Sequence, residues 1–235
     1  MSQQITTITL FKYAGLRNKF WAFLMMQRAH TKLAGVNGQQ FYKLMGSGKG
    51  MGFNPLPDWS IYSLLQIWDC EEDAKAFFNN APIIESYKEH TTEQCTLFMR
   101  SIKAHGEWNG KNPFEKSTQL DPENPQVAII TRATIKLSKL HTFWKYVPTS
   151  EKPLKKSKGL IYTKGIGEVP LTQMATFSLW ETMDDAKAFA YSSKEHQVAI
   201  QKTRSLDWYK EELFSRFQPY KAIGTWEGKT LITSS

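Results

Sequence analysis

Two apolar periods alternate along the chain. Ile5 to Tyr13 is rich in β formers and partly alternating, and Trp59 to Trp68 and Cys95 to Ala104 alternate more clearly. Gln40 to Met45 is a short strand closed by the glycines at 46, 48, 50 and 52. Between these strands, Leu16 to Leu33 carries helix formers with a wide apolar face. Glu71 to Asn79 predicts a second helix whose acids fill the first turn, where the helix dipole favours them. The order is strand, helix, strand, strand, helix, strand. It then returns: Gln126 to Ile135 as strand, Leu137 to Tyr146 as helix, Gly159 to Lys164 and Met174 to Trp180 as strands, and Glu212 to Tyr220 as the last strand. Before it, a helix follows Thr182-Met183-Asp184-Asp185, where the Thr182 hydroxyl is placed to accept from the third backbone N–H.

In places the return is literal. Trp68 through Phe77 reads WDCEEDAKAF and Trp180 through Phe189 reads WETMDDAKAF. GEWNGK from Gly106 matches GTWEGK from Gly224, and KGMG from Lys49 matches KGIG from Lys164. LFMR from Leu97 matches LFSR from Leu213, and Lys19-Phe20-Trp21 resembles Thr142-Phe143-Trp144. Blocks in a constant order with a drifting offset indicate a duplicated unit with loop insertions. The unit βαββαβ is ferredoxin-like, with helices on one face of an antiparallel sheet and the other face requiring cover. The expected fold is therefore α+β: tandem ferredoxin-like repeats at 1–111 and 126–235, closing on each other as an intrachain dimeric α+β barrel. The polar, proline-containing stretch 112–125 serves as linker.

Composition narrows the picture. The chain has 235 residues, a formal charge of +8, eight Trp and fourteen Phe. So many aromatic residues fit either a large core or a pocket for a flat or long apolar ligand. Met1 to Thr7 is polar and without cations, unlike a secretion signal, and the apolar run Phe20 to Met26 is too short to span a bilayer. Two cysteines, Cys70 and Cys95, make neither a disulfide framework nor a metal cluster, so a cytoplasmic location is expected. The lysines are dispersed except at 152, 155, 156 and 158, and no nucleic-acid motif accompanies the charge. A basic surface also suits contact with an anionic membrane, with Phe20 to Met26 either touching the bilayer or forming a core helix.

Familiar catalytic motifs are missing. Gly46 to Gly52 reads GSGKGMG, but its spacing does not fit a phosphate loop and no helix follows, so a β-hairpin turn is expected. No two of the five histidines have metal-ligand spacing, which argues against a multi-histidine zinc site but leaves a single axial ligand of haem. His196 has the best context. Ser192 and Glu195 have capping-box spacing, placing His196 early in a helix, with Ala199, Ile200 and Thr203 on its face. That face is small and apolar, and a helix N-terminus disfavours imidazolium, as metal ligation requires. The alternative is a capping or surface histidine.

One further set of residues points to a family. It includes Ile129 to Ile135 (IITRATI), Gly165-Ile166-Gly167-Glu168, Thr176 to Trp180 and Phe189-Ala190-Tyr191. It continues from His196 through Thr203-Arg204, Trp208-Tyr209 and Glu211 to Phe217, joined by Phe41 to Gly48 in the first half. Together they resemble the spheroidene monooxygenase family of carotenoid oxygenases over nearly the whole chain. The resemblance implies a haem b protein with iron held by His196, O₂ as co-substrate and a ferredoxin-type electron donor. It also implies hydroxylation and ketolation at C-2 of an apolar, carotenoid-like substrate. Arg132 is the candidate catalytic residue, a donor that would assist O–O cleavage; if buried it needs a partner: a haem propionate, bound oxygen or a protein carboxylate. Ile200 and Thr203 would approach the macrocycle, and Arg204 and Arg216 would serve propionates, although Arg216 recurs as Arg100, which favours a structural role. Tyr209 and Trp208 either line the pocket or pack, and Glu211 and Glu212 equally suit a solvent-facing position. The competing readings are a haem-dependent aldoxime dehydratase that needs no O₂, a cofactor-free barrel oxygenase, and a non-catalytic carrier of haem or an apolar ligand.

Overall fold

A computed structural model describes residues 3–52, 54–146, 154, 157–192 and 207–232. The first half runs β1 (Ile5–Lys12), α1 (Gly15–Arg28), α2 (His30–Leu33), β2 (Gln39–Gly48), β3 (Pro57–Trp68), α3 (Glu71–Asn80), α4 (Pro82–His90) and β4 (Glu93–Gly106). The second runs β5 (Val127–Ile135), a 3₁₀ turn at Leu137–Lys139, α5 (Leu140–Tyr146), β6 (Leu160–Val169), β7 (Gln173–Trp180), α6 (Met183–Ser192) and β8 (Tyr209–Gly224). All eight strands pair antiparallel in one closed barrel, β1-β3-β2-β6-β7-β5-β8-β4. The expected α+β barrel of two ferredoxin-like units is the fold. Residues 107–126 cross between the halves without helix or strand and are pinned to the barrel. Phe114 packs edge-on against Phe217 at 4.9 Å, and the Gln4 side-chain amide donates to the Pro113 carbonyl at 3.2 Å.

Several elements differ from the sequence expectation. The first helix breaks at Ala29, giving α1 and α2. Helix α4 was not expected; Pro82 at its first turn starts it, since proline there sacrifices no helical hydrogen bond. Strand β2 runs through Gly46 to Gly48, and Lys164 to Gly167 lies inside β6. The KGxG match is therefore out of register: Gly167 pairs with Gly46, while Lys49 belongs to the hairpin turn. The Thr182 cap forms as expected, with the Asp185 N–H donating to Oγ1 at 3.1 Å.

The strand registers relate the halves by an approximate two-fold axis. Ile5 pairs with Trp68 as Val127 pairs with Trp180, and Gly106 meets Leu213 as Gly224 meets Cys95. Leu213 is thus equivalent to Cys95, and Arg216 to Phe98. The expected match of Arg216 with Arg100 is two residues out. Each glycine that ends the β4–β8 seam has positive φ, +93° at Gly106 and +85° at Gly224. A Cβ would stand 2.2 Å from the Glu212 carbonyl oxygen at Gly106 and 2.1 Å from that of Gln94 at Gly224.

Even-numbered β5 residues face the barrel, where Ala128 and Ile130 join Ile8, Leu65, Leu97, Phe177 and Leu213 in the main core. Arg132 follows on the same face and is 2% exposed. Its guanidinium donates to Glu211 and lies 3.6 Å from Glu168 Oε1, which also accepts from Trp108 Nε1 at 2.7 Å. Lys43 pairs with the other oxygen of Glu168, and the Gly110 N–H donates to Glu211 at 2.7 Å. Two cations thus meet two carboxylates, as burial demands. At the opposite end of the barrel, the equivalent positions hold Leu10 for Arg132, Ser47 for Glu168, Glu93 for Glu211 and Lys164 for Lys43. Glu93 accepts from the Gly228 N–H at 2.8 Å, just as Glu211 accepts from Gly110. Arg132 and Glu168 are therefore both charged where Leu10 and Ser47 are both neutral.

Three outcomes are expected from this core. Gly106→Ala and Gly224→Ala should each destabilise the chain by about 1–3 kcal/mol from backbone strain, before any clash, read as a lowered urea midpoint. Arg132→Leu alone should cost about 3–5 kcal/mol by stranding buried carboxylates. The double change Arg132→Leu/Glu211→Leu, which removes the cation together with the carboxylate it donates to and leaves the Lys43–Glu168 pair in place, should recover part of that loss; no recovery would show that the two charges are not coupled. Burial raises the Glu211 carboxyl, but the Gly110 N–H and Arg132 outweigh it and hold it below its usual value. Asp58, buried against Lys164, is likewise held low. The stability from such groups is full above the usual carboxylate range of about 4 and is lost as pH falls through the lower folded-state value. A urea midpoint that declines with acidity below that range, and less steeply in Arg132→Leu, checks this.

Candidate functional site

Odd-numbered β5 residues face away from the barrel toward α5 and α6. Ile135 packs with Phe143, Met174 and Trp208, while Val127 packs with Trp180, Ala186 and Phe189. The same outer face in the first half is packed solid beneath α1, α3 and α4. Phe11, Leu64 and Phe98 are buried there among Trp68, Phe77, Ile84 and Tyr87, and Thr7, Thr9 and Gln66 are sealed beside them.

Position by position, the second half removes this bulk. Register places Ala133 where the first half has Phe11, Gly165 where it has Leu44, and Thr163 where it has Tyr42. Thr176 replaces Leu64 and Ser178 replaces Gln66. Two exchanges run the other way, Phe214 for Thr96 and Ile129 for Thr7. The net effect is visible in exposure: Thr131 is exposed and Phe214 is 37% exposed in mid-sheet, where Thr9 and Thr96 are buried. Ala133, Thr163 and Gly165 are nonetheless buried, so this face of reduced side-chain bulk, called the hollow below, opens at Thr131 and Phe214 and not over its floor.

Arg216 lies on the same face, opposite Ile129. Its guanidinium stacks 5.1 Å above the Phe214 ring, and its Nε is buried without a hydrogen-bond partner among the described residues. An unpaired buried donor on a cation suits an anionic substituent at the rim of the hollow. At the α5 end, Phe143 meets Trp208 edge-on at 5.6 Å and Tyr209 at 6.2 Å, forming an aromatic wall.

The expected site residues therefore separate. Arg216 and Tyr209 border the hollow. Arg132 is on the opposite, barrel face of the sheet, and its terminal nitrogens are engaged by Glu211 and Glu168. Of the partners open to Arg132 on sequence, it has protein carboxylates, and Glu211 faces the barrel rather than solvent. His196, Ile200, Thr203 and Arg204 lie outside the described residues, in the chain between α6 and β8. Counted in sequence from the shared Asp-Ala-Lys-Ala-Phe block, His196 falls opposite Ile84 of α4, which is buried with Ile83 and Tyr87 against the sheet of the first half. Among the described residues no group of three His, Cys, Asp or Glu could hold a metal. Burial inside the barrel pushes the Cys95 thiol up to about 12, which disfavours its thiolate.

The small residues of the hollow escaped the sequence reading. Ala133, Gly165, Thr163 and Ser178 are unremarkable alone, and their meaning appears only beside their first-half partners in correct register.

No family model matches the chain. Among curated proteins, the spheroidene monooxygenase of Rhodobacter capsulatus is 34% identical over 98% of this chain and 96% of that protein. That of Rubrivivax gelatinosus is 30% identical over 90% of this chain and 80% of its own length. Among solved structures, an aldoxime dehydratase in complex with butyraldoxime aligns over 93% of this chain and 80% of that one, with a TM-score of 0.60 at 11% identity, a likeness of fold alone. Identity at this level along the length of both chains places the sequence plainly: it belongs to the spheroidene monooxygenase family.

Proposed function

We propose that this chain is a haem-dependent monooxygenase acting on an apolar, carotenoid-like substrate, with O₂ as co-substrate and electrons from a ferredoxin-type donor. The position of oxidation would be C-2 of an acyclic end, first hydroxylated and then converted to a ketone. The observation that carries the reading is the hollow on the outer face of the second half. It replaces Phe11, Leu44 and Leu64 of the first half with Ala133, Gly165 and Thr176. Family membership supplies the substrate class, since the named relatives are spheroidene monooxygenases.

The unpaired Arg216 Nε and the aromatic wall at Phe143 support haem b as the group this face would take. His196 would be its single protein ligand, with Ile200 and Thr203 against the ring and Arg204 and Arg216 toward the propionates. Bound haem would supply the redox centre at which O₂ is reduced. This chain's own side chains do the rest. The Arg216 guanidinium, with its unpaired Nε, anchors an anion. The hydroxyls of Thr131, Thr176 and Ser178 offer hydrogen bonds along the sheet side. Phe214, Tyr209 and the wall around Phe143 exclude water and provide apolar surface for a long substrate.

Haem titration followed by absorbance tests the reading. The full chain should bind haem stoichiometrically with a Soret band, and His196→Ala should lose or shift that band. Ala133→Phe and Gly165→Leu restore first-half residues, so they should keep the fold, by circular dichroism, and weaken haem binding by about tenfold or more, as expected when a side chain fills a ligand's space. With haem bound and a reducing system present, product should form only under O₂. Dehydration of an aldoxime without O₂ would contradict the monooxygenase assignment, and unaltered haem binding in Ala133→Phe would remove the hollow as the site.

A further inference from the structure

The first 57 residues contain no Asp or Glu, while they carry Lys12, Arg17, Lys19, Arg28, Lys32, Lys43 and Lys49. Lys12 and Lys43 are neutralised by Glu93 and Glu168. The other five enter no ion pair among the described residues, so their charge is available to an anionic partner.

The same stretch exposes large apolar side chains. On α1, Ala22 and Met25 face inward, while Leu16 is 89% exposed, Phe20 62% and Phe23 47%. These three stand at i, i+4 and i+7, one stripe along the helix, where a water-facing helix would be polar. Leu56 and Trp59 on the β2–β3 hairpin are 58% and 48% exposed and extend the patch. The rings of Phe23 and Trp59 meet edge-on at 5.2 Å, making helix and hairpin one surface. Arg17 and Lys19 flank the stripe on α1, and Lys49 lies at the hairpin.

We propose that the face formed by α1 and the β2–β3 hairpin docks on an anionic lipid bilayer. Leu16, Phe20, Phe23, Leu56 and Trp59 enter the boundary between headgroups and acyl chains. Arg17, Lys19, Arg28, Lys32 and Lys49 meet the lipid phosphates, with their aliphatic stems alongside the apolar stripe. The charge complements an anionic surface, which attracts each cation held near it. The apolar side chains project outward and form no groove, which suits a fluid apolar layer better than the fixed relief of an acidic protein. The hairpin also touches the hollow, since Thr163 Oγ1 donates to the Met51 carbonyl at 3.4 Å. On the proposed chemistry, docking would bring that rim to the lipid in which a carotenoid dissolves. The docking itself needs neither haem nor substrate, so it stands or falls separately.

Co-sedimentation of the full chain with vesicles tests the proposal, using phosphatidylcholine alone and an equal mixture with phosphatidylglycerol. The chain should pellet with the mixed vesicles, far less with the neutral ones, and be released by raised salt. Leu16→Ser/Phe20→Ser and Arg17→Glu/Lys19→Glu should each lower the partition coefficient by about tenfold or more. Lys116→Glu, on the segment between the halves, should not. Circular dichroism identical to wild type keeps loss of binding distinct from loss of fold. The proposal is overturned if wild type stays in the supernatant with mixed vesicles, or if the double variants pellet as wild type does. It is overturned equally if sedimentation velocity shows a dimer that the same variants abolish, for the face would then belong to a second copy.

Discussion

Unpaired strand edges govern this molecule. Each half folds as a four-stranded sheet in the order β2-β3-β1-β4 or β6-β7-β5-β8, leaving two open edges and a bare apolar face. Open edges invite uncontrolled pairing, and closure into a barrel removes them. Here the edges of one half satisfy those of the other. β4 and β8 pair along a long seam, from Cys95 with Gly224 to Gly106 with Leu213, bent by two irregularities. The second seam is short, Gly46 with Gly167 and Ser47 with Ile166. Closure buries both bare faces in one core and leaves each half with an outer face covered by its own helices. The core and the candidate site are therefore back to back on the same sheet.

That arrangement frees the two outer faces to diverge. The first half fills its face with Phe11, Leu44, Tyr42, Leu64 and Phe98, stacked on the rings of α3 and α4, and behaves as scaffold. In the second half the floor is Ala133, Gly165, Thr163 and Thr176, with the cation Arg216 at the rim. Inside the barrel the halves also part, but there the change is balanced: Arg132 and Glu168 enter together where Leu10 and Ser47 stand. A balanced exchange preserves a core, whereas the unbalanced loss of volume on the outer face makes room. This contrast separates the structural asymmetry from the one that bears on function.

Much of this was legible in sequence. The repeat of WDCEEDAKAF as WETMDDAKAF fixed the unit, and the alternating segments fixed the strands, so the barrel followed from pattern alone. Helix α4 was hidden because Pro82 reads as a breaker, although at a first helical turn it starts the element. The glycine-rich stretch misled because Gly46 and Gly48 sit within β2, where a neighbouring strand, not a turn, determines their conformation. For the site, Arg216 was found for its charge but aligned with Arg100. Pairing with the first strand of each half decides it: Phe98 stands opposite Thr7 as Arg216 stands opposite Ile129, which makes Phe98 its true counterpart. Which face Arg132 takes follows from alternation with Ala128 and Ile130, yet its partners Glu168 and Glu211 come from distant strands, which no local pattern reveals. The hollow was least legible, because absent volume leaves no motif.

The central claim is that the outer face of the second half is the binding face and its first-half counterpart is scaffold. Hydrogen–deuterium exchange of the full chain with and without haem tests it most directly, because it reads both faces in one experiment. Slowed exchange on haem addition is predicted in α5, α6 and residues 193–206, with α1, α3 and α4 unchanged. Protection confined to α3 and α4, or spread equally over both halves, would contradict the account.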